Sequence, residues 1–152
     1  MSVHRRGKRR IDTDIHKLIV EGKHQVTMLE DPHELIVRFC GLLESLYKNG
    51  MWNVKVQLSE DYPFKAPNIS FINKIYHPNI DENSGILSVN VMSESWTLRH
   101  HLLDLFEYFL PEILTDPSLN DPINKIAAAI YIYAPEEYKN VVKKYVRQHA
   151  RF

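Results

Sequence analysis

A change in hydrophobic periodicity along the chain restricts its fold more than any other feature. Three segments alternate apolar and polar side chains, at residues 23–29, 33–40 and 51–58. The alternation is most regular in MWNVKVQL, where Trp52, Val54 and Val56 occupy every second position, as in strands with one buried face. NISFI, at residues 68–72, predicts a fourth strand. Because the turns EDP and LYKNG are short, neighbouring strands should pair antiparallel as a meander.

Helical periodicity flanks this sheet on both sides. A first amphipathic helix is predicted to begin with Asp12 or Thr13 as its N-cap and to end at Gly22. Near the other end, Pro111 interrupts an apolar stripe and should kink or restart that helix. The C-terminal helices are predicted at residues 102–114, 121–134 and 135–150. One helix, four strands, a long loop and more helices together predict an α+β fold, with the helices packed on one antiparallel sheet.

Length and charge narrow the class of protein. A chain of 152 residues fits one domain, which we place at residues 8–152 behind a basic, flexible tail at residues 1–7. The tail belongs to the cluster HRRGKRR, which is a solvated segment, a docking surface for an acidic partner or a nuclear-import signal. The balance of 19 basic and 19 acidic residues argues against binding bulk nucleic acid by charge alone, and no specific nucleic-acid partner is expected. No apolar run approaches the roughly 18 residues of a membrane span.

The single cysteine bears on compartment and chemistry. Cys40 cannot form an intrachain disulfide, so a reducing compartment, the cytoplasm or the nucleus, is expected. With no histidine or asparagine placed to activate it, Cys40 is predicted to be a small buried apolar residue. No phosphate-binding loop, dinucleotide fingerprint or metal-ligand spacing is present, so neither a cofactor nor a metal is expected.

The chemistry is expected in the segment between Asn73 and Trp96, where neither period holds. Long irregular segments in compact domains are often functional. Within it, HPNIDENSGILSVNV places one hydroxyl, Ser88, among apolar residues. GILSV is not a nucleophile elbow, and no triad spacing singles out His77 with Asp81, so a serine hydrolase is not indicated.

Four motifs together resemble one family. DYPFKAP at residues 61–67, HPN at 77–79, Trp96 and DPIN at 121–124 occur in the order and spacing of the ubiquitin-conjugating (UBC) domain. The resemblance extends from about Lys8 to Ala150. GKRRIDTDIHKL and FEYFLPEIL further resemble the branch associated with histone ubiquitination. The resemblance implies a UBC-like fold with an N-terminal helix, a four-stranded meander, a long active-site loop and C-terminal helices.

The resemblance also answers what Ser88 is. In the family, the ninth residue after the Asn of His-Pro-Asn is the cysteine that carries ubiquitin as a thioester, and counting from Asn79 reaches Ser88. A thiol is partly ionised near neutral pH, whereas an unassisted hydroxyl is not, and an oxyester reacts less readily with amines. Transfer to lysine should therefore be blocked or strongly impaired, with ubiquitin carried at most as an oxyester.

Neighbouring residues take their expected roles from the same resemblance. Asn79 would steady the oxyanion or hold the loop that does so, unless it only bonds its own turn. Asp121 would orient the acceptor lysine, serve as N-cap of a helix starting at Pro122, or both. Asn90 replaces the usual aspartate and cannot take a proton. His77 is expected to be a structural brace.

A partner-binding surface is also implied. Phe64 would project into the groove of a ubiquitin ligase, unless it is a core aromatic residue. Leu98 and Arg99 replace the usual Pro and Ala, which puts standard ligase docking in doubt. The residues expected at this surface are Phe64, Lys65, Trp96, Leu98, Arg9 and Arg10. The partners implied are ubiquitin, ubiquitin-activating enzyme, a ubiquitin ligase, and histones or another protein substrate.

Three functional readings follow from Ser88. The chain is a conjugating-enzyme fold with blocked transfer that serves as a binding module, a transferase whose cysteine was replaced by serine, or a carrier that uses a serine-linked ester. The serine is either a natural replacement or a laboratory substitution of the kind that traps an oxyester. The additional departures at Asn90, Leu98 and the LYKNG turn favour a natural replacement, because a laboratory change would alter one residue.

Overall fold

A computed structural model describes residues 3–151, with side chains from Arg9 onward. Its four strands form one sheet in sequence order, and every neighbouring pair is antiparallel. The strands are β1 (Val26–Met28), β2 (Glu34–Cys40), β3 (Met51–Gln57) and β4 (Asn68–Phe71). The predicted meander and the α+β class are confirmed.

Side-chain alternation decides which face of the sheet is buried. In β3, Trp52, Val54 and Val56 are buried, as the alternation predicted. In β2, Phe39 is buried and the next residue, Cys40, is exposed. The prediction that Cys40 is buried is therefore wrong, because consecutive strand residues point to opposite faces.

The first helix, α1 (Val3–Glu21), is longer than predicted. It ends before Gly22, as expected, but neither Asp12 nor Thr13 is its N-cap, because both lie inside the helix. The helix also includes residues 3–7, where the sequence predicted a flexible tail. Arginine and lysine are good helix formers, so the basic cluster extends the helix upstream of the apolar stripe.

Six helical segments follow the sheet. They are α2 (Val89–Ser95), α3 (Leu102–Asp104), a π-helical turn (Leu105–Phe109), α4 (Leu110–Thr115), α5 (Lys125–Tyr133) and α6 (Pro135–His149). The segment predicted to be irregular up to Trp96 thus contains α2. The expected helix start at Pro122 is also wrong, because α5 begins three residues later.

The π-helical turn is explained by Pro111. Proline lacks the backbone N–H that continues an α-helical ladder. Instead, the Leu110 N–H donates to the Leu105 carbonyl five residues back, and α4 continues directly from the π-helical turn with Pro111 in its first turn. Pro111 thus changes the hydrogen-bond ladder, but the helical backbone continues without a break from Leu102 to Thr115, so the predicted restart is not seen.

Candidate active site

The His-Pro-Asn corner is buried and fully hydrogen-bonded. The side chains of His77 and Asn79 have no exposed surface. His77 Nε2 lies 2.7 Å from the Ile113 carbonyl oxygen and donates to it, and His77 Nδ1 accepts the Asn79 N–H at 3.0 Å. Burial lowers the pKa of His77 from 6.5 to about 4. Because both of its ring nitrogens are hydrogen-bonded, the neutral His77 cannot act as a base toward Ser88. Its role is structural, since its bond to Ile113 holds α4 against the His-Pro-Asn corner.

The lowered pKa of His77 predicts acid sensitivity. Because the unfolded chain binds a proton at higher pH than the folded chain does, stability is fully present above pH 6.5 and falls as the pH drops toward 4. The size of the shift corresponds to about 3 kcal/mol. We expect the stability difference between wild type and His77→Gln to shrink by that amount between pH 7 and pH 4, measured by urea denaturation. An imidazole that is already protonated at pH 5.5 in the folded protein, observed by NMR, would contradict this prediction.

The Asn79 side chain joins two segments that are 39 residues apart. Its Nδ2 donates to the Ser118 carbonyl oxygen at 2.8 Å, and its Oδ1 accepts the Ser118 N–H at 2.9 Å. The alternative in which the side chain bonds its own turn is therefore wrong. The backbone adds a second tie, because the Asn124 N–H donates to the Pro78 carbonyl at 2.9 Å. Together these bonds hold the 117–124 segment against the His-Pro-Asn corner.

Ser88 is positioned by the same corner. Its N–H donates to the Asn79 carbonyl at 2.8 Å, and its own carbonyl accepts the Met92 N–H. The side chain is half-buried and caps α2, with Oγ accepting the Val91 N–H at 3.4 Å. In the part of the chain that the structure describes, Ser88 Oγ has no carboxylate or imidazole within hydrogen-bonding distance. The hydroxyl is thus held in place without a base to remove its proton.

The two residues expected near an acceptor lysine are both open to solvent. Asn90 and Asp121 are exposed. Asp121 has φ of 54°, in the left-handed region that aspartate tolerates better than most residues. It is not the N-cap of α5, since Asn124 Oδ1 accepts the Ala127 N–H at 3.0 Å and takes that role. Aspartate and asparagine both favour helix starts, so the sequence offered two candidates three residues apart.

The expected partner-binding residues divide into exposed and anchoring groups. Phe64 is 52% exposed and Leu98 is 49% exposed, so the core-aromatic alternative for Phe64 is wrong. Lys65 and Arg9 are also exposed. Trp96 is half-buried, and its Nε1–H donates to the Pro63 carbonyl at 2.8 Å, which fixes the loop that carries Phe64.

Arg10 is engaged within the fold and anchors the segment that contains Leu98. Its Nη1 donates to the Leu98 carbonyl at 2.9 Å and its Nη2 donates to the His100 carbonyl at 2.5 Å. Its Nε and Nη2 also contact the two carboxylate oxygens of Asp14, at 3.2 and 3.1 Å. Arg10 therefore fixes the backbone segment that presents Leu98.

Asp14 is a buried carboxylate that our sequence analysis did not single out. It has no exposed surface and, besides Arg10, contacts the hydroxyl of Tyr62 and, at 2.8 Å, Nδ1 of His101. Burial and this carboxylate raise the pKa of Tyr62, which keeps its hydroxyl protonated as a donor. A signal was present, because Asp14 lies at helical spacing from Ile11 and Leu18, on the apolar face of α1.

The described residues contain neither a cluster of metal-ligand side chains nor a helix long and apolar enough to cross a membrane. Among the described side chains, from Arg9 to Arg151, no group of three or more histidine, cysteine, aspartate or glutamate residues is placed to hold a metal ion. Over the same range, no helix combines the length and apolar character that crossing a bilayer requires.

These observations define a class of protein, an α+β domain in which a buried His-Pro-Asn corner holds one nucleophile-type side chain at the start of a helix. Comparison with known proteins identifies the family within this class. The family model described as "Ubiquitin-conjugating enzyme" matches residues 10–146. The chain is 40% identical to "Ubiquitin-conjugating enzyme E2-23 kDa" of Triticum aestivum over 144 residues, which cover 94% of this chain and 78% of that protein. It is 38% identical to "Ubiquitin-conjugating enzyme E2-24 kDa" of Saccharomyces cerevisiae, and the aligned region covers 94% of this chain and 66% of that protein.

The chain therefore belongs to the ubiquitin-conjugating enzyme family, a family of transferases in the ubiquitin pathway. Membership implies three kinds of partner: ubiquitin, a ubiquitin-activating enzyme and ubiquitin ligases.

Proposed function

We propose that this chain is a ubiquitin-conjugating-enzyme homologue in which Ser88 occupies the position of the thioester-forming cysteine, so that transfer of ubiquitin to lysine is blocked or strongly impaired. The observation that carries the proposal is the position of Ser88 itself. It lies nine residues after the buried Asn79, is hydrogen-bonded to the Asn79 backbone, and caps the helix that follows.

The chemical step that fails is acyl transfer. For loading, Ser88 Oγ would attack the carbonyl of the ubiquitin thioester on the activating enzyme, form an oxyester and release the thiol of that enzyme. The hydroxyl proton must leave during this attack, yet His77 has both nitrogens occupied and its pKa is lowered. For discharge, a lysine amine would have to expel an alkoxide, a poorer leaving group than a thiolate. Both steps are therefore slowed by the same oxygen atom.

The surroundings of Ser88 support a site that retains its framework. We assign Asn79 the role of holding the loop, because its side chain is buried and its Nδ2 and Oδ1 both bond Ser118. Asp121 is exposed, and we propose that it orients an acceptor lysine. Asn90, also exposed, can accept a hydrogen bond from that amine but cannot take its proton.

A binding role is the second candidate, and the docking surface favours it. Phe64 and Leu98 are exposed, while Trp96 and Arg10 fix the backbone behind them. Such a surface would engage a ligase or the activating enzyme without any chemistry at Ser88. We further propose that the protein substrate is a histone or another protein. The proposed location is the cytoplasm or the nucleus.

Loading with ubiquitin tests the proposal. We would incubate wild type, Ser88→Cys and Ser88→Ala with ubiquitin-activating enzyme, ubiquitin, ATP and Mg²⁺, and run gels with and without reductant. We expect a reductant-sensitive conjugate only with Ser88→Cys, and with wild type either none or a reductant-resistant one that Ser88→Ala abolishes. A chain in which neither wild type nor Ser88→Cys loads, while circular dichroism shows both folded, would leave only the binding role.

A further inference from the structure

A groove runs between α2 and the continuous helical segment 102–115, and we call it the α2–α4 groove. It encloses a volume of about 430 Å³, within the range of about 300–1,000 Å³ that ligand pockets usually have. Its floor consists of four apolar side chains that are buried or half-buried, namely Met92, Leu105, Phe109 and Ile113. Its rim is formed by every fourth residue of the long helical segment and the residue after it, namely Asp104, Tyr108, Glu112 and Asp116.

Aromatic rings give the groove flat walls. Trp96 and Tyr108 both line it, and Trp96 packs against His100 with the ring centroids 5.6 Å apart. Tyr108 is 70% exposed, so the core does not cover its ring and the ring is available to contact an occupant. The faces of tyrosine and tryptophan rings attract cations, and arginine stacks on them through its planar guanidinium.

Two carboxylates at one end of the groove have no cation to balance them. Glu112 and Asp116 are exposed, and none of the ion pairs between described residues involves either of them. They are four residues apart, so their charges repel each other. They also lie at the C-terminal end of α4, where the helix dipole favours a positive charge. A cation at this end of the groove would therefore be stabilised by both carboxylates and by the dipole.

The remaining titratable side chains of the groove are already engaged. Asp104 Oδ2 accepts the His101 N–H at 2.9 Å. His100 Nδ1 accepts the Thr97 N–H at 2.9 Å, so the imidazole carries one proton and no charge in this arrangement. His100 therefore neither offsets the two free carboxylates nor repels a cation.

No lysine or arginine of the described chain lines the groove. Arg10 lies behind the His100 backbone, where it is already paired with Asp14. Between Lys74 and Lys125 the sequence contains eight acidic residues but a single arginine and no lysine. That arginine, Arg99, is exposed and is not part of the lining. The groove thus lies in a region of excess negative charge, which raises the local concentration of cations.

We propose that the α2–α4 groove binds an arginine side chain presented by a partner polypeptide. The aliphatic part of that side chain packs on the apolar floor, while the guanidinium stacks on Tyr108 and donates to Glu112 and Asp116. Arginine fits better than lysine, because a planar guanidinium can stack and donate to two carboxylates at the same time. The groove does not include Ser88, so this binding does not depend on chemistry at that residue.

Titration with short peptides tests the site. We would titrate the full chain with blocked glycyl-arginyl-glycine and with its citrulline analogue, which has nearly the same shape but no charge, and follow the backbone and indole signals by NMR. We expect saturable shifts at Trp96 and across residues 104–116, with a Kd on the order of 1 mM for the arginine peptide. The citrulline peptide should bind at least about fivefold more weakly.

Substitutions at the rim locate the bound peptide. Glu112→Gln combined with Asp116→Asn should weaken binding of the arginine peptide at least about fivefold, and Tyr108→Ala should weaken it about threefold. Glu94→Gln is the matched control, because Glu94 is an exposed carboxylate on α2 outside the lining, and it should leave the Kd unchanged.

Three results would overturn the proposal: no saturable shift up to about 10 mM arginine peptide, equal binding of the citrulline peptide, or unchanged binding by the double variant. A loss with Glu94→Gln as large as that of the double variant would show diffuse charge attraction and would also reject the site. Because the substituted side chains are exposed, well-dispersed NMR spectra are expected for every variant and report directly that each one is folded.

Discussion

Replacing Asp14 with alanine should lower the free energy of unfolding by about 3–5 kcal/mol. The carboxylate is fully buried and is the shared acceptor for Arg10, Tyr62 and His101. Its removal leaves the guanidinium and the buried hydroxyl without their partner, and the cost of unpaired buried polar groups exceeds the loss of the contact itself. Urea denaturation at pH 7 measures the change directly.

Asp12→Ala is the matched control for Asp14→Ala. Asp12 lies on the same helix but is exposed, so its replacement should change stability by less than about 0.5 kcal/mol. Equal and small effects at the two positions would show that the buried cluster contributes little. Because Arg10 also bonds the backbone of Leu98 and His100, Asp14→Ala should additionally increase hydrogen exchange in the 98–101 segment.

Replacing Ser88 with cysteine should increase the rate of ubiquitin discharge to free lysine by at least about 100-fold. A cysteine thiol is partly ionised at neutral pH and leaves readily as a thiolate, whereas the hydroxyl of Ser88 does neither. Apart from the long cap bond from the Val91 N–H to Oγ, the surrounding bonds involve the backbone of Ser88 and the side chain of Asn79, so the exchange of oxygen for sulfur leaves them in place. The rate constant of single-turnover discharge gives this effect.

The sheet was predictable because its signal is local. Alternation in β2 and β3 and the short turns between strands determine both the strands and their antiparallel order. The same alternation implied that Cys40, next to the buried Phe39, faces solvent; we missed it by weighing residue type above position. Helix α2 was missed because seven residues are too few to show a helical period.

The site was predictable only in part. Motif spacing singled out Ser88, Asn79 and His77, but the bond between Asn79 and Ser118 joins positions 39 residues apart, and no local pattern encodes that contact. For Asp14, the sequence shows a charge on an apolar helix face but not its distant partner Tyr62. Contacts of this kind depend on how the elements pack, which periodicity does not specify.

The discharge of ubiquitin to lysine tests the central claim most directly, namely that the oxygen atom of Ser88 is what blocks or strongly impairs transfer by this chain. After loading, the activating enzyme is quenched, free lysine is added, and the conjugates of wild type and Ser88→Cys are followed over time. We predict that the Ser88→Cys conjugate is consumed while any wild-type conjugate persists. A wild-type conjugate that discharges to lysine as fast as the cysteine variant would contradict the claim, as would a Ser88→Cys conjugate that does not discharge.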